Sequence, residues 1–143
     1  MKFEFDMDAY FQSLDWSKES VRNSAALGMH DVTDDLLIKS TDEAPLSKGG
    51  GTLRRSAGKR VTVESDSVTG EVWFSATESD ANGNVYNYAL ITHELGSTDT
   101  STALNYKDPS TPGTRPKYLE RPLKQNAEVY KRMIADAIRK EAT

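Results

Sequence analysis

Residues 45–61 read "PLSKGGGTLRRSAGKRV", and the chain changes character across them. Before this stretch the apolar residues recur every three or four positions; after it they alternate. Three consecutive glycines stand beside five basic side chains, Lys48, Arg54, Arg55, Lys59 and Arg60, in a 143-residue chain whose net charge is −4. The stretch is a phosphate cradle, a nucleic-acid contact, or a turn that feeds a strand. Its surroundings and its spacing decide.

Upstream, Val21, Ala25, Gly28, Val32 and Leu36 form one helical stripe. Ser17 reads as the N-cap, with Trp16 and Val21 placed as a hydrophobic staple across it. Pro45 disfavours helix at Ala44. A helix over 17–43 is expected, with a weak point at Gly28. Nearer the start, Phe3, Phe5 and Met7 alternate with Lys2, Glu4 and Asp6, a short half-buried strand.

Downstream, Val61 and Val63 alternate with Thr62 and Glu64, "SDSVTG" supplies a turn, and Val72, Phe74 and Ala76 alternate with Glu71, Trp73 and Ser75. That pattern predicts a β-hairpin. Asn82-Gly83 marks a second turn, and "VYNYALI" (85–91) reads as a third strand that curls into a helical turn at "THELG". Residues 96–114 hold eight Ser or Thr, two Pro and two Gly without periodicity, and are expected to form a long loop. Leu119, Leu123, Ala127, Tyr130, Ile134 and Ile138 then line one face of a last helix, with Pro122 tolerated in its first turn.

The expected fold is α+β in a single domain over 1–143. A small antiparallel sheet, the hairpin plus one or two strands, packs against the long helix and the last helix. Hydrophobic residues make up 36% of the chain, enough for a core of its own. There is no cysteine, so no disulfide framework and no thiolate zinc site. No apolar run approaches the roughly 18 residues that span a bilayer, and the first residues lack a signal-peptide apolar region. The expectation is a soluble protein, made and used in a cytoplasm, with no membrane partner.

The chemical readings fail one after another. A Walker A loop needs glycine five residues before Gly-Lys and a hydroxyl after it; Gly58-Lys59 has Leu53 before it and Arg60 after it. A dinucleotide fingerprint needs a third glycine where Arg54 stands. His93-Glu94 lacks the second histidine of a zinc helix, since Ser97 occupies that place, and His30 is the only other imidazole. No nucleophile elbow surrounds any serine. No catalytic residue, metal site or cofactor is therefore expected, and the protein reads as something other than an enzyme.

Charge is nevertheless uneven. From Ala44 to Val63 there is no acidic residue, whereas Asp31, Asp34, Asp35, Asp42 and Glu43 precede that span. Arg54 and Arg55 suit phosphate positioning, but no aromatic lies between Trp16 and Trp73 to stack a base. Pairing of these cations with acidic neighbours, in the fold or on another subunit, is favoured over direct DNA contact.

The order of motifs adds a resemblance. Ala44-Pro45, then Gly51-Thr52-Leu53-Arg54 with Ser56, then Tyr88-Ala89, then Glu94 with Gly96, then Arg115-Pro116 through Leu119 to Pro122, succeed one another along nearly the whole chain. The succession resembles the minor capsid and tail-completion proteins of the head–tail connector in long-tailed bacteriophages. The glycine run and the 96–114 loop are longer here than in that family. The resemblance implies a structural subunit of the virion neck, assembled in the bacterial host cytoplasm. It implies a homo-oligomeric ring, six-fold or twelve-fold, between the DNA-filled head and the tail. Neighbouring portal-adaptor, neck and tail proteins would be its partners, and double-stranded DNA would pass through the lumen without sequence reading. On this reading Leu53 enters the core, and Lys48, Arg54, Arg55, Lys59 and Arg60 face a neighbouring subunit or the lumen. Asp31, Asp34, Asp35, Asp42 and Glu43 would meet that basic turn across the subunit interface. A tail terminator of the same neck, and a small nucleic-acid-binding accessory protein using 48–60, are the alternatives.

Overall fold

A computed structural model of the chain describes residues 2–4, 14–44, 52–79, 81–95 and 117–142. In order, the elements are β1 (Lys2–Glu4), α1 (Glu19–Glu43), a single-turn α2 (Thr52–Arg55), β2 (Ala57–Val63), β3 (Val68–Phe74), β4 (Glu78–Ser79), β5 (Val85–Tyr86), α3 (Tyr88–Leu95) and α4 (Glu120–Ala142). The fold is α+β, as the two periodicities require.

β1, β3 and β2 form an antiparallel sheet in that order, with β3 in the middle. The hairpin register pairs Ala57 with Phe74, Arg60 with Glu71 and Val63 with Val68. The turn is tighter than the sequence suggested: Glu64 donates its amide to the Ser67 carbonyl at 2.8 Å, and Val68 is already in the strand. β1 pairs with the other side of β3, Phe3 opposite Val72. A two-residue ribbon, β4 with β5, closes through Asn82-Gly83, where glycine takes φ +83°.

α1 lies between two partners. On one side Met29 and Thr33 sit over Gly70 of β3, so close that a methyl group there would stand 2.5 Å from the Met29 sulfur. On the other side a Cβ at Gly28 would stand 2.9 Å from the Ile134 Cα of α4. The position read as a weak point is thus where two helices make their closest approach. Val32, Leu36 and Ala25 fill the space between these contacts, with Tyr130, Ile134 and Ile138 from α4 and Val72 and Phe74 from β3 in the same core. Because α1 is covered on two sides, its buried residues also include Ser24, Thr33 and Ser40, which a single apolar stripe does not predict.

Two local expectations are corrected. Ser17 does not cap α1: its hydroxyl donates to Asp15 Oδ1 at 2.5 Å, and the N-cap is Lys18, which makes no side-chain cap bond. The strand expected over 85–91 ends at Tyr86, and Tyr88 begins a helix. Asn87 is the reason, because its Oδ1 accepts the Leu90 amide at 2.9 Å and satisfies a donor of the first turn. The glycine run at 49–51, Lys48 and the expected loop at 96–114 lie outside the described residues.

Candidate assembly surface

The basic stretch is built from the turn outward. Leu53 is fully buried, which fixes α2 against the core. Ser56 donates its hydroxyl to the Leu53 carbonyl at 2.6 Å and accepts the Ser75 amide at 3.1 Å, tying the turn to the end of β3. With its chain anchored there, Arg54 reaches back to α1. Its Nε donates to the Ala44 carbonyl at 2.9 Å and its Nη2 to the Asp42 carbonyl at 3.2 Å. α1 has no basic residue in its own last turn. Arg54 therefore brings the positive charge and the donors that a helix C-terminus lacks.

The remaining cations of the turn also find partners in the same chain. Lys59 lies on the helix-facing side of β2 and pairs with Asp34 of α1. Arg60 reaches its cross-strand neighbour Glu71, Nε to Oε2 at 2.8 Å, and Glu71 is buried. Such pairs hold the hairpin and seat it on α1. Arg55 is exposed.

The acidic residues disperse. Asp31 is exposed on the outer side of α1, as is Asp42. Glu43 accepts Arg121 Nη1 of α4 at 2.6 Å. Asp35 accepts the Tyr130 hydroxyl at 2.7 Å and pairs with Lys39 at 2.7 Å. Burial pushes the Asp35 carboxyl up, but hydrogen bonds from Lys39 and Tyr130 outweigh it and hold the group below its ordinary value. Burial, then Asp35 itself, raise the Tyr130 phenol well above its usual range. Among the described members of the charged residues singled out from the sequence, Lys59 meets the Asp34 carboxylate and Arg54 the Asp42 backbone carbonyl.

A second polar cluster, around His93, joins α3 to α4. His93 is fully buried. Its Nδ1 donates to Glu94 Oε1 at 2.8 Å, and its Nε2 accepts the Glu120 amide, the first of α4, at 3.3 Å. That pairing specifies the neutral ring with its proton on Nδ1. Lys117, held at φ +56°, donates its amide to the His93 carbonyl at 2.9 Å and pairs through Nζ with Glu94. The imidazole thus supplies an acceptor at a helix N-terminus, where a positive ring is disfavoured. Among the described residues, no group of three or more His, Cys, Asp or Glu is placed to hold a metal ion.

This cluster carries a pH dependence. Burial pushes the His93 imidazole below its ordinary 6.5, against the opposing pull of Glu94 and Glu120. Between those two values the unfolded chain binds a proton that the folded chain refuses, so stability is full above about pH 6.5 and declines as pH falls below it. Glu94 and Glu120, held below their ordinary 4.5 by Lys117 and Lys124 respectively, add their losses only at lower pH. Urea midpoints measured from pH 7.5 to 5 are expected to fall below pH 6.5. His93→Gln lowers stability throughout but flattens that slope.

The sequence marks Glu128, Lys131, Arg132, Asp136 and Arg139 as lying away from the apolar stripe of α4, but gives them no role. Glu128, Val129, Arg132, Asp136 and Arg139 are exposed there, and Arg139 pairs with Asp136 at 3.3 Å. Comparison with known proteins finds no family model, no curated protein and no solved structure that matches this chain.

Proposed function

We propose that the chain is a structural, non-catalytic subunit of a bacteriophage neck, assembling as a six-fold or twelve-fold ring that joins the DNA-filled head to the tail. It would be made in the bacterial cytoplasm and retained in the virion at the head–tail junction, against portal-adaptor and tail proteins. The observation that carries this reading is where the motifs of the resemblance fall. Ala44, Leu53, Ala89 and Leu119 are all fully buried. Arg54 closes the C-terminus of α1, and the Ala89 amide bonds the Ala76 carbonyl at 3.1 Å. The shared residues are those that join one element to the next, as an inherited subunit scaffold demands.

The in-chain pairing of Lys59 and Arg60 favours this reading over a DNA-binding accessory protein, because cations already matched to carboxylates have less to offer phosphates. A lumen through which DNA slides needs weak contacts of this kind. No helix among the described residues is long and apolar enough to cross a membrane.

Electron microscopy of lysates from the parent phage with this gene disrupted tests the proposal. Filled heads and finished tails lying apart are expected. Normal joined virions would remove the neck reading. Free-DNA affinity falling with salt at a log–log slope near −0.9 per phosphate contact would then point to the accessory role.

A further inference from the structure

We propose that Asn82 is a covalent modification site, a residue that converts without an enzyme to aspartate and isoaspartate and so places a carboxylate on the turn between β4 and β5. The conversion needs that turn alone and is independent of the neck reading.

The chain has six asparagines, and glycine follows one of them, Asn82. Hydroxide removes the proton of the Gly83 amide, and the nitrogen attacks Cγ of Asn82. An N–Cγ bond forms and the Cγ–Nδ2 bond breaks. Nδ2 leaves as ammonia after taking a proton from water, and a five-membered succinimide remains. Water then opens the ring. Breaking its nitrogen bond to Cγ gives aspartate. Breaking its nitrogen bond to the backbone carbonyl carbon gives isoaspartate, in which the chain runs on through Cγ. Nothing is oxidised or reduced, and hydroxide and water are the only reagents.

The turn leaves room for this ring. Asn82 and Gly83 are exposed, as are Ala81 and Asn84 on either side. Gly83 has φ +83°, and a Cβ built there would meet nothing within 4 Å. Glycine is thus the residue this backbone favours, and without a Cβ it hinders the attack least. The ribbon carrying the turn has two pairs, Glu78 with Tyr86 and Ser79 with Val85, and a ribbon of that size has little stability of its own. Its base is held by the core instead: the Ala89 amide donates to the Ala76 carbonyl at 3.1 Å, and both residues are buried. The extra backbone carbon of isoaspartate is therefore taken up in the ribbon without disturbing that base.

Each of the other asparagines lacks a requirement. Asn23 and Asn126 lie inside α1 and α4, where the next amide is bonded within the helix and turned away from Cγ. Asn87 accepts the Leu90 amide through Oδ1 at 2.9 Å and precedes Tyr88, the first residue of α3. Asn84 precedes Val85, whose β-branch crowds the amide. Asn105, outside the described residues, precedes Tyr106. From Val61 to Tyr106 there is no Lys or Arg, so the new carboxylate joins an acidic stretch with no cation near it in sequence.

Folded protein kept for weeks in mildly alkaline buffer tests the proposal. A gain of one mass unit is expected, with an acidic shift on isoelectric focusing and a rate that rises with hydroxide. Electron-transfer fragmentation should place the change at Asn82, and an isoaspartate-specific methyltransferase should label the product. Gly83→Ala is expected to slow the conversion roughly tenfold, because the added Cβ crowds the attacking nitrogen. Asn82→Gln should abolish the label and leave the urea midpoint unchanged. An unchanged mass would overturn the proposal, as would first conversion at another asparagine or a rate indifferent to Gly83→Ala. Conversion confined to urea-unfolded chains would overturn it too, by showing that the folded turn holds Cγ away from the Gly83 amide.

Discussion

Tyr118→Ala is expected to destabilise the fold by about 4 kcal/mol, the upper part of the range for truncating a buried aromatic. Tyr118 is fully buried. Its ring meets Phe74 of β3 edge-on at 5.0 Å and His93 of α3 edge-on at 5.1 Å. Its hydroxyl donates to the Ala89 carbonyl at 2.8 Å. One side chain thus ties the approach to α4 to both α3 and the sheet. Tyr118→Phe keeps the two ring contacts and removes one buried hydrogen bond, a loss of about 1 kcal/mol. Urea unfolding of the two variants separates ring packing from hydroxyl bonding. Equal losses for both would show that the hydrogen bond, and not the ring, holds the junction.

Gly28→Val should cost about 3 kcal/mol, through overpacking where the neighbour is backbone. A Cβ at Gly28 would stand 2.9 Å from Ile134 Cα and 3.1 Å from Ala137 Cβ, and neither can rotate away. Gly28→Ala gains about 1 kcal/mol of helix propensity, yet meets the same obstacle, so a net loss is expected. Gly70→Ala offers the contrast. Its new methyl meets side chains only, Met29 Sδ at 2.5 Å and Thr33 Cγ2 at 2.8 Å, which can shift where backbone cannot, and the loss should be smaller than at Gly28. Denaturation midpoints in that order would confirm that α1 and α4 are held at a fixed distance by backbone contact. A stabilised Gly28→Ala would mean that the helices have room to separate.

These contacts also mark how far the sequence could be read. The stripe of α4 was legible because one partner, α1, sets one apolar face. α1 was legible as a helix, but Ser24, Thr33 and Ser40 were missed because two partners spread its buried arc beyond a single stripe. The hairpin followed from period-2 alternation and the ribbon turn from Asn82-Gly83. The helical turn at 92–95 was legible, but the start of α3 was read as strand because a short apolar run does not distinguish strand from helix, and the deciding group was one amide oxygen on Asn87. Pairing of β1 with β3 joins residues about 70 positions apart, Lys2 with Trp73, and leaves no local trace. The five basic residues were legible as a cluster. Their partners were not, because Glu71 and the carbonyls of α1 become neighbours only through tertiary packing.

The central place of α1 has a consequence for synthesis. Its two covers are made long after it: β3 ends some 30 residues beyond the helix, and α4 begins at Glu120, nearly 80 residues after Glu43. A ribosome adding about 5–20 residues per second therefore leaves α1 half-clad for several seconds, with the Gly28 side bare until the last helix emerges. Nascent chains stalled before residue 120 should be cleaved by protease within α1, and chains extended past residue 142 should resist. The chain acquires its finished fold late, when α4 has left the ribosome.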